Sequence, residues 1–271
     1  MKTLSYLTNL IVPCLKLSLM YQFPEFEKVN QIEVDEEYAY VSVSVLEREV
    51  VEPEHYIGVD LNTTGHAVVA SNPQTVKVWK LGKQCGHVHK KYKNIRHKLQ
   101  KQGKYRMIKR IKDRESRIIQ DLDHKMSKKI VEIAKNTGCG IKLERLEGIR
   151  KNRKYSRSFQ YSLNSWSFYQ LQQFIEYKAK LQGVAVAHIE PAYTSQTCSR
   201  CSHMGDRNVK SFKCPYCGHV ENTDVNASFN IALRPIGVSQ SDIDSDMSEG
   251  STDTPQGATA RTMQTLEPHR L

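Results

Sequence analysis

The chain has 271 residues, 40 Lys+Arg against 29 Asp+Glu for a formal net charge of +11, 39% hydrophobic residues and seven cysteines. That length holds one substantial domain with a small module, or two modest domains. A mean hydropathy of −0.57, with no run near the ~20 apolar residues that span a bilayer, excludes an integral helical membrane protein. Four of the seven cysteines fall in two tight pairs. This predicts metal ligation in a reducing compartment, the cytoplasm, over a secreted disulfide framework.

The charge is unevenly placed. Residues 239–271 hold six acids and two bases, a sum of −4, which leaves +15 on residues 1–238. A basic body favours a polyanionic partner, most often nucleic acid. The tail, SQSDIDSDMSEGSTDTPQG and onward, has too little apolar content to pack and is expected to be a disordered acidic segment over 238–271.

The first 22 residues suggest a leader, but the apolar run is broken by Thr8, Asn9, Pro13 and Lys16 and lacks a small-residue cleavage pattern. They are read as mature chain. Gln31 to Glu49 alternates in period two, with Tyr38, Tyr40, Ser42 and Ser44 against Ala39, Val41, Val43 and Val45. That pattern predicts a half-buried strand or hairpin, with Pro53 closing the region 1–53.

HYIGVDL (55–61), HAVVAS (66–71) and TVKVWKL (75–81) predict a three-stranded antiparallel meander. Asp60 sits inside the first strand. A buried carboxylate is costly unless compensated, so it either binds a cation or lies at an exposed strand end; the residue alone leaves both readings open. A helix is expected from about Lys90 to Lys135, with Ile95, Leu99, Ile108, Ile111, Ile118, Leu122, Met126, Ile130 and Ile133 on one face. Between Lys83 and Asn136 there are 18 Lys+Arg and five Asp+Glu. Such a one-signed surface is either a solvated charged face or, as the ratio favours, a phosphate-tracking one.

Strand IKLERL (141–146) carries a second acid, Glu144. A basic, aromatic loop, GIRKNRKYSRSFQYS, then leads to a helix from about Trp166 to Gln182 and the strand VAVAHIEP (184–191). Three strands, helix, strand, helix, strand is the order of an RNase H-like α/β mixed sheet, expected over 54–192. Within 193–221, Cys198-Ser-Arg-Cys201 and Cys214-Pro-Tyr-Cys217, 12 residues apart, have the spacing of a zinc ribbon. Four thiolates at ~2.3 Å would close a tetrahedral structural Zn²⁺ site, with His203 and His219 as bystanders and Cys14, Cys85 and Cys139 as ordinary thiols. In 222–237, ENTDVNASFNIA opens a small-residue helix with a third acid, Asp224. Should Asp60, Glu144 and Asp224 converge, they could hold two Mg²⁺ ions ~4 Å apart for phosphodiester hydrolysis by water.

HYIGVDLN, IKLERLEGIR, EYKAKLQGVAVAHIEPAYTSQTCSRC, CPYCGHV and NTDVNASFNIA, in this order over about Glu54 to Ala232, resemble the successive blocks of the TnpB-type transposon-encoded nucleases, relatives of the compact type V CRISPR effectors. The resemblance implies a RuvC-like domain with an inserted zinc-binding target-nucleic-acid-binding segment, cutting DNA under a guide RNA. It places the catalytic, magnesium-binding acids on Asp60, Glu144 and Asp224, with Glu147 as an alternative second acid, and the zinc ligands on Cys198, Cys201, Cys214 and Cys217. The family's usual N-terminal wedge barrel with a helical recognition module is longer than the 53 residues here, so a truncated copy is expected, retaining the last strands of the wedge. Ser202 stands where the family often has glycine. The expected function is a transposon-associated, DNA-binding RuvC-type endonuclease. The alternatives are a cleavage-inactive nucleic-acid-binding remnant or repressor, and a zinc-ribbon interaction protein.

Overall fold

The computed structural model describes residues 9–12, 17–20, 26–36, 39–46, 48–145 and 168–238. The acidic tail, the basic loop at 148–162, Cys14, Glu147 and Trp166 lie outside them. The chain divides into two units, Met1–Glu49 and Val50–Leu271.

Among its described residues the first unit holds two antiparallel pairs. β1 (Asn9–Val12) pairs with β2 (Leu17–Met20), inside the segment read as mature chain with no element assigned. β3 (Lys28–Val34) pairs with β4 (Ala39–Ser44), with a register shift between Val29 and Gln31. The alternating Gln31–Glu49 stretch is thus a hairpin that begins three residues earlier than its periodicity suggests, its pairing running up to Val34 opposite Ala39.

The second unit is built on a five-stranded mixed sheet of order β7-β6-β5-β8-β9. The meander β5 (Tyr56–Leu61), β6 (Val68–Asn72) and β7 (Lys77–Leu81) is antiparallel, while β8 (Gly140–Glu144) runs parallel to β5, and β9 (Val186–Ile189) to β8. Among the described residues four helices accompany it: α1 (Lys83–Lys101), α2 (Tyr105–Thr137), α3 (Phe168–Gln182) and α4 (Thr223–Leu233).

The single helix expected from Lys90 to Lys135 is two helices. Gly103, at φ 68, ends the first; its amide bonds the Gln100 carbonyl at 3.0 Å and the Lys104 amide reaches back to Leu99 at 2.9 Å. This pair is a Schellman stop, which needs a left-handed residue and takes glycine without a Cβ penalty. An apolar 3.6-residue periodicity continues across such a break, so it does not reveal the stop. Among the described residues no helix is long and apolar enough to cross a membrane.

The pleat assigns the two sheet faces different work. Ile57 and Val59 of β5 and Ile141 and Leu143 of β8 point into the main core, where they pack with Met126, Ile130 and Ala134 of α2 and Leu171, Ile175 and Ala179 of α3. The alternate positions, Gly58 and Asp60 on β5 with Lys142 and Glu144 on β8, face α4. Lys142 is buried there, and its ammonium donates to the carbonyls of Ala232 (2.9 Å) and Arg234 (2.7 Å), which capture the C-terminal end of α4. These carbonyls lack intrahelical partners at a helix end, and a cation suits them.

Candidate active site and metal centre

Asp60 and Glu144 lie at the C-terminal ends of neighbouring parallel strands. The register pairs Val59 with Leu143, so the next residues, the two acids, fall side by side on the α4 face. Asp224 comes from the first turn of α4, where the side chain of Asn222 caps the helix by accepting the Asp224 amide at 3.0 Å. An asparagine cap followed by an acid in the first turn is favourable at a helix N-terminus. Asp60 and Asp224 are buried and Glu144 half-buried.

Burial first, then the neighbouring Glu144 carboxylate, push the Asp60 carboxyl up to about 8; the Asn62 amide opposes this by donating to Oδ2 at 2.7 Å, Asp224 adds to it and Lys210 opposes it. Burial also raises Glu144, against the Thr194 hydroxyl, which donates to Oε1, and the charges of Arg234 and Arg207. An acid pushed this far up is held in its charged form only with a cation close by. Carboxylates with amide and hydroxyl partners are the ligand type that a hard divalent cation takes, although among the described residues the three acids do not reach the mutual spacing of a metal-holding group that the four cysteine thiols do. A protein cation already reaches the acids: Lys210 donates to both Asp224 oxygens at 2.7 Å.

Lys210 comes from the small three-stranded sheet β10 (Asp206–Asn208), β11 (Ser211–Lys213) and β12 (Val220–Asn222), which hangs between β9 and α4. Its core is Phe212, fully buried against Cys198 and Cys214. The thiols of Cys198, Cys201, Cys214 and Cys217 all lie within 4.8 Å of one another and form a group that could hold a metal ion. The knuckles are built alike. Each first cysteine accepts a backbone amide four residues on, from Ser202 (2.9 Å) or Gly218 (3.0 Å), and donates its own amide to the carbonyl of His203 or His219 (2.8 Å each). Both Ser202 (φ 62) and Gly218 (φ 72) are left-handed.

The acidities of Cys198, Cys201 and Cys214 are shifted in different directions. Burial raises Cys198 and Cys201. At Cys214 burial is outweighed by the Cys217 and Tyr216 amides and the facing thiols of Cys201 and Cys217, which bring it down to about 7. A thiol ionised near neutrality is a ready first ligand. His203 lies outside the thiol group, its ring stacked on Tyr216 with centroids 3.8 Å apart.

Sequence reasoning singles out the three acids and the four cysteines but passes over the residues that bond the acids or offset their charge: Asn62, Thr194, Lys210 and Arg234. Asn62 offered a signal, an amide two residues beyond a buried acid. Three bases between the knuckles, Arg207, Lys210 and Lys213, were another. Thr194 and Arg234 carried none, because their partners are distant in the chain.

The Cas12f1-like TNB domain family model matches residues 168–231, from α3 through the four cysteines into α4. The chain is 31% identical over 204 residues to the TnpB-like protein MJ0751 of Methanocaldococcus jannaschii, covering 70% of this chain and 73% of that one. It is 33% identical over 196 residues to the CRISPR-associated endodeoxyribonuclease Cas12f1 of Sulfoacidibacillus thermotolerans, covering 65% of this chain and 45% of the relative. Among solved structures, that of a Cas12f1-sgRNA-target DNA complex superposes with a TM-score of 0.56 at 25% identity, over 69% of this chain and 52% of that chain. The chain thus spans about half the length of the Cas12f1 proteins it matches, and most of the archaeal TnpB-like protein. On the strength of that match the chain belongs to the TnpB-like family of RNA-guided nuclease relatives.

Proposed function

We propose that the chain is a RuvC-type, Mg²⁺-dependent DNA endonuclease with a structural zinc ribbon, linked to a transposable element and directed by a guide RNA. The observation that carries this reading is the placement of Asp60, Glu144 and Asp224 on one face at two adjacent strand ends and the facing helix start. The strand order β7-β6-β5-β8-β9, with a parallel β5-β8-β9 half, supports an RNase H-like sheet.

Mg²⁺ held by these acids would supply an activated water for in-line attack on a phosphodiester and counter-charge for the leaving oxygen. The residues of the chain orient the acids for that task. Asn62 fixes Asp60, Thr194 fixes Glu144, and the Asn222 cap fixes the backbone of Asp224. Zn²⁺ suits the four thiols because a soft tetrahedral thiolate cage selects it. Its role would be to hold the hairpin that leads through β12 into α4, one residue before the Asp224 turn. The exposed Lys and Arg side chains of α1 and α2, among them Lys90, Lys98, Arg106, Arg110 and Arg117, suit a nucleic-acid backbone.

The test is to purify the full chain from its host, sequence co-purifying RNA, and assay cleavage of matching DNA in Mg²⁺. Cleavage lost in Asp60→Ala, Glu144→Ala and Asp224→Ala, with nucleic-acid binding kept, supports the reading. Cleavage unchanged by any of the three sinks the catalytic assignment, and binding without cleavage in Mg²⁺ or Mn²⁺ selects the cleavage-inactive alternative.

A further inference from the structure

The turn between β10 and β11 is two residues long, with Asn208 paired to Ser211 across it and Val209 left-handed at φ 52. Its backbone is tied down, since the Lys210 carbonyl accepts the amide of Thr223, the first residue of α4, at 3.0 Å. The freedom that remains is in the four-carbon side chain, which runs past Gly65; a Cβ there would stand 4.0 Å from the Lys210 Cε. The ammonium donates to Asp224 Oδ1 and Oδ2 at 2.7 Å each and to Asn62 Oδ1 at 3.2 Å. An ammonium has three donors, and all three are engaged here. Through Asn62, whose amide donates to Asp60, the lysine links two of the acids in one hydrogen-bonded chain.

A divalent cation needs the same Asp224 oxygens as direct ligands. It also repels a unit positive charge a few ångströms away, and the low dielectric of a buried site strengthens that repulsion. Both cannot hold the carboxylate together. The lysine can yield at low cost: its side chain is about a third exposed, and an extended ammonium is readily hydrated.

We propose that Lys210 and a divalent cation compete for the carboxylate of Asp224, the lysine side chain swinging out as the cation enters, so that a residue of the four-cysteine module sets the cation affinity of the acid cluster. This rests on the reading of Asp60, Glu144 and Asp224 as a cation site. Lys210 is then a positioning residue that keeps the acids apart from one another's charge and gates cation entry. Its backbone anchor on Thr223 means that the β10–β11 turn stays in place through the exchange.

The experiment is a calorimetric titration of Mn²⁺ into the full chain, with zinc content and thermal unfolding measured on each variant. Lys210→Met, which keeps the stem and removes the charge, is expected to bind Mn²⁺ about tenfold tighter than the parent, the value of one charged hydrogen-bonded pair. Lys210→Arg, which keeps a charge able to fork both oxygens, should bind no tighter than the parent. Unchanged or weaker Mn²⁺ binding by a Lys210→Met protein of normal zinc content overturns the proposal. The cation-site reading is tested separately by Asp60→Asn and Asp224→Asn, which must lose Mn²⁺ binding. Loss in those variants without tightening in Lys210→Met defeats the competition alone; retained binding in them defeats the site reading itself.

Discussion

A Cβ built on Gly58 would lie 2.0 Å from the carbonyl oxygen of Ser228, so β5 and α4 touch backbone to backbone one turn below the acid cluster. Gly58 precedes Asp60 by two and shares its sheet face, and Ser228 follows Asp224 by four and shares its helix face. The distance between the two acids is therefore set by the absence of a side chain.

Gly58→Ala must push α4 off the sheet, since neither backbone partner, Ser228 O nor Ala232 N, can rotate away. Overpacking of this kind costs about 1–3 kcal/mol or more, a fall of roughly 2–4 °C in Tm for each kcal/mol in a domain of this size. Thermal unfolding should show that loss, and Mn²⁺ affinity should fall with it because Asp224 is displaced. A Gly58→Ala protein with parental Tm and parental Mn²⁺ affinity would show that the close approach does not position the acid.

Lys142 clamps the other end of the same helix. Lys142→Met fills the space beneath Tyr56, over whose ring the ammonium sits at 4.7 Å, but leaves the Ala232 and Arg234 carbonyls without their donor. Each buried acceptor stripped of its partner costs about 1–3 kcal/mol. Chemical denaturation should register a loss of that size, and hydrogen exchange should show it concentrated in amides of residues 223–233.

The two knuckles make the same backbone demand on residues 202 and 218. Both positions are left-handed, yet one is serine and the other glycine. A non-glycine residue there costs roughly 1–2 kcal/mol. Ser202→Gly should therefore hold its metal more firmly against a chelator, by about tenfold at 1.4 kcal/mol. Gly218→Ala meets no atom within 4 Å, so the strain alone should weaken retention by a similar factor. Zinc release followed with a colorimetric chelator compares all three proteins, and equal rates would remove the strain argument.

The Asp60 carboxyl is raised to about 8 in the folded protein by burial and by Glu144, against an unfolded value near 3.9. Its contribution to stability is fully present below the unfolded value and is lost as pH rises through about 8. Metal-stripped protein should accordingly lose stability progressively between about pH 4 and 8 and level off above that. Asp60→Asn cannot ionise, so its stability should be flatter over that window and exceed the parent's at pH 9. Denaturation midpoints at a series of pH values in chelator decide it, parallel curves for the two proteins being the outcome that refutes the assignment.

Much of this protein was legible as a string. Hydrophobic alternation is a local property of the chain and marked β5, β6, β7 and β8; two Cys-x-x-Cys pairs marked the thiol cage. A charged residue inside an apolar strand marked Asp60 and Glu144 as residues that something must compensate. The break at Gly103 was readable too, as a glycine between helical stretches, yet an apolar stripe that continues beyond it outweighs one residue in any periodicity count. Only the tertiary structure decided which groups meet. Strand register puts Asp60 beside Glu144, the bare backbone of Gly58 lets α4 bring Asp224 to them, and a two-residue turn 14 positions upstream of Asp224 delivers the ammonium of Lys210. Most such contacts join residues far apart in the chain, as with Thr194 and Asn230, 36 positions apart, or Lys210 and Asn62, 148 apart, and short-range pattern holds no record of them.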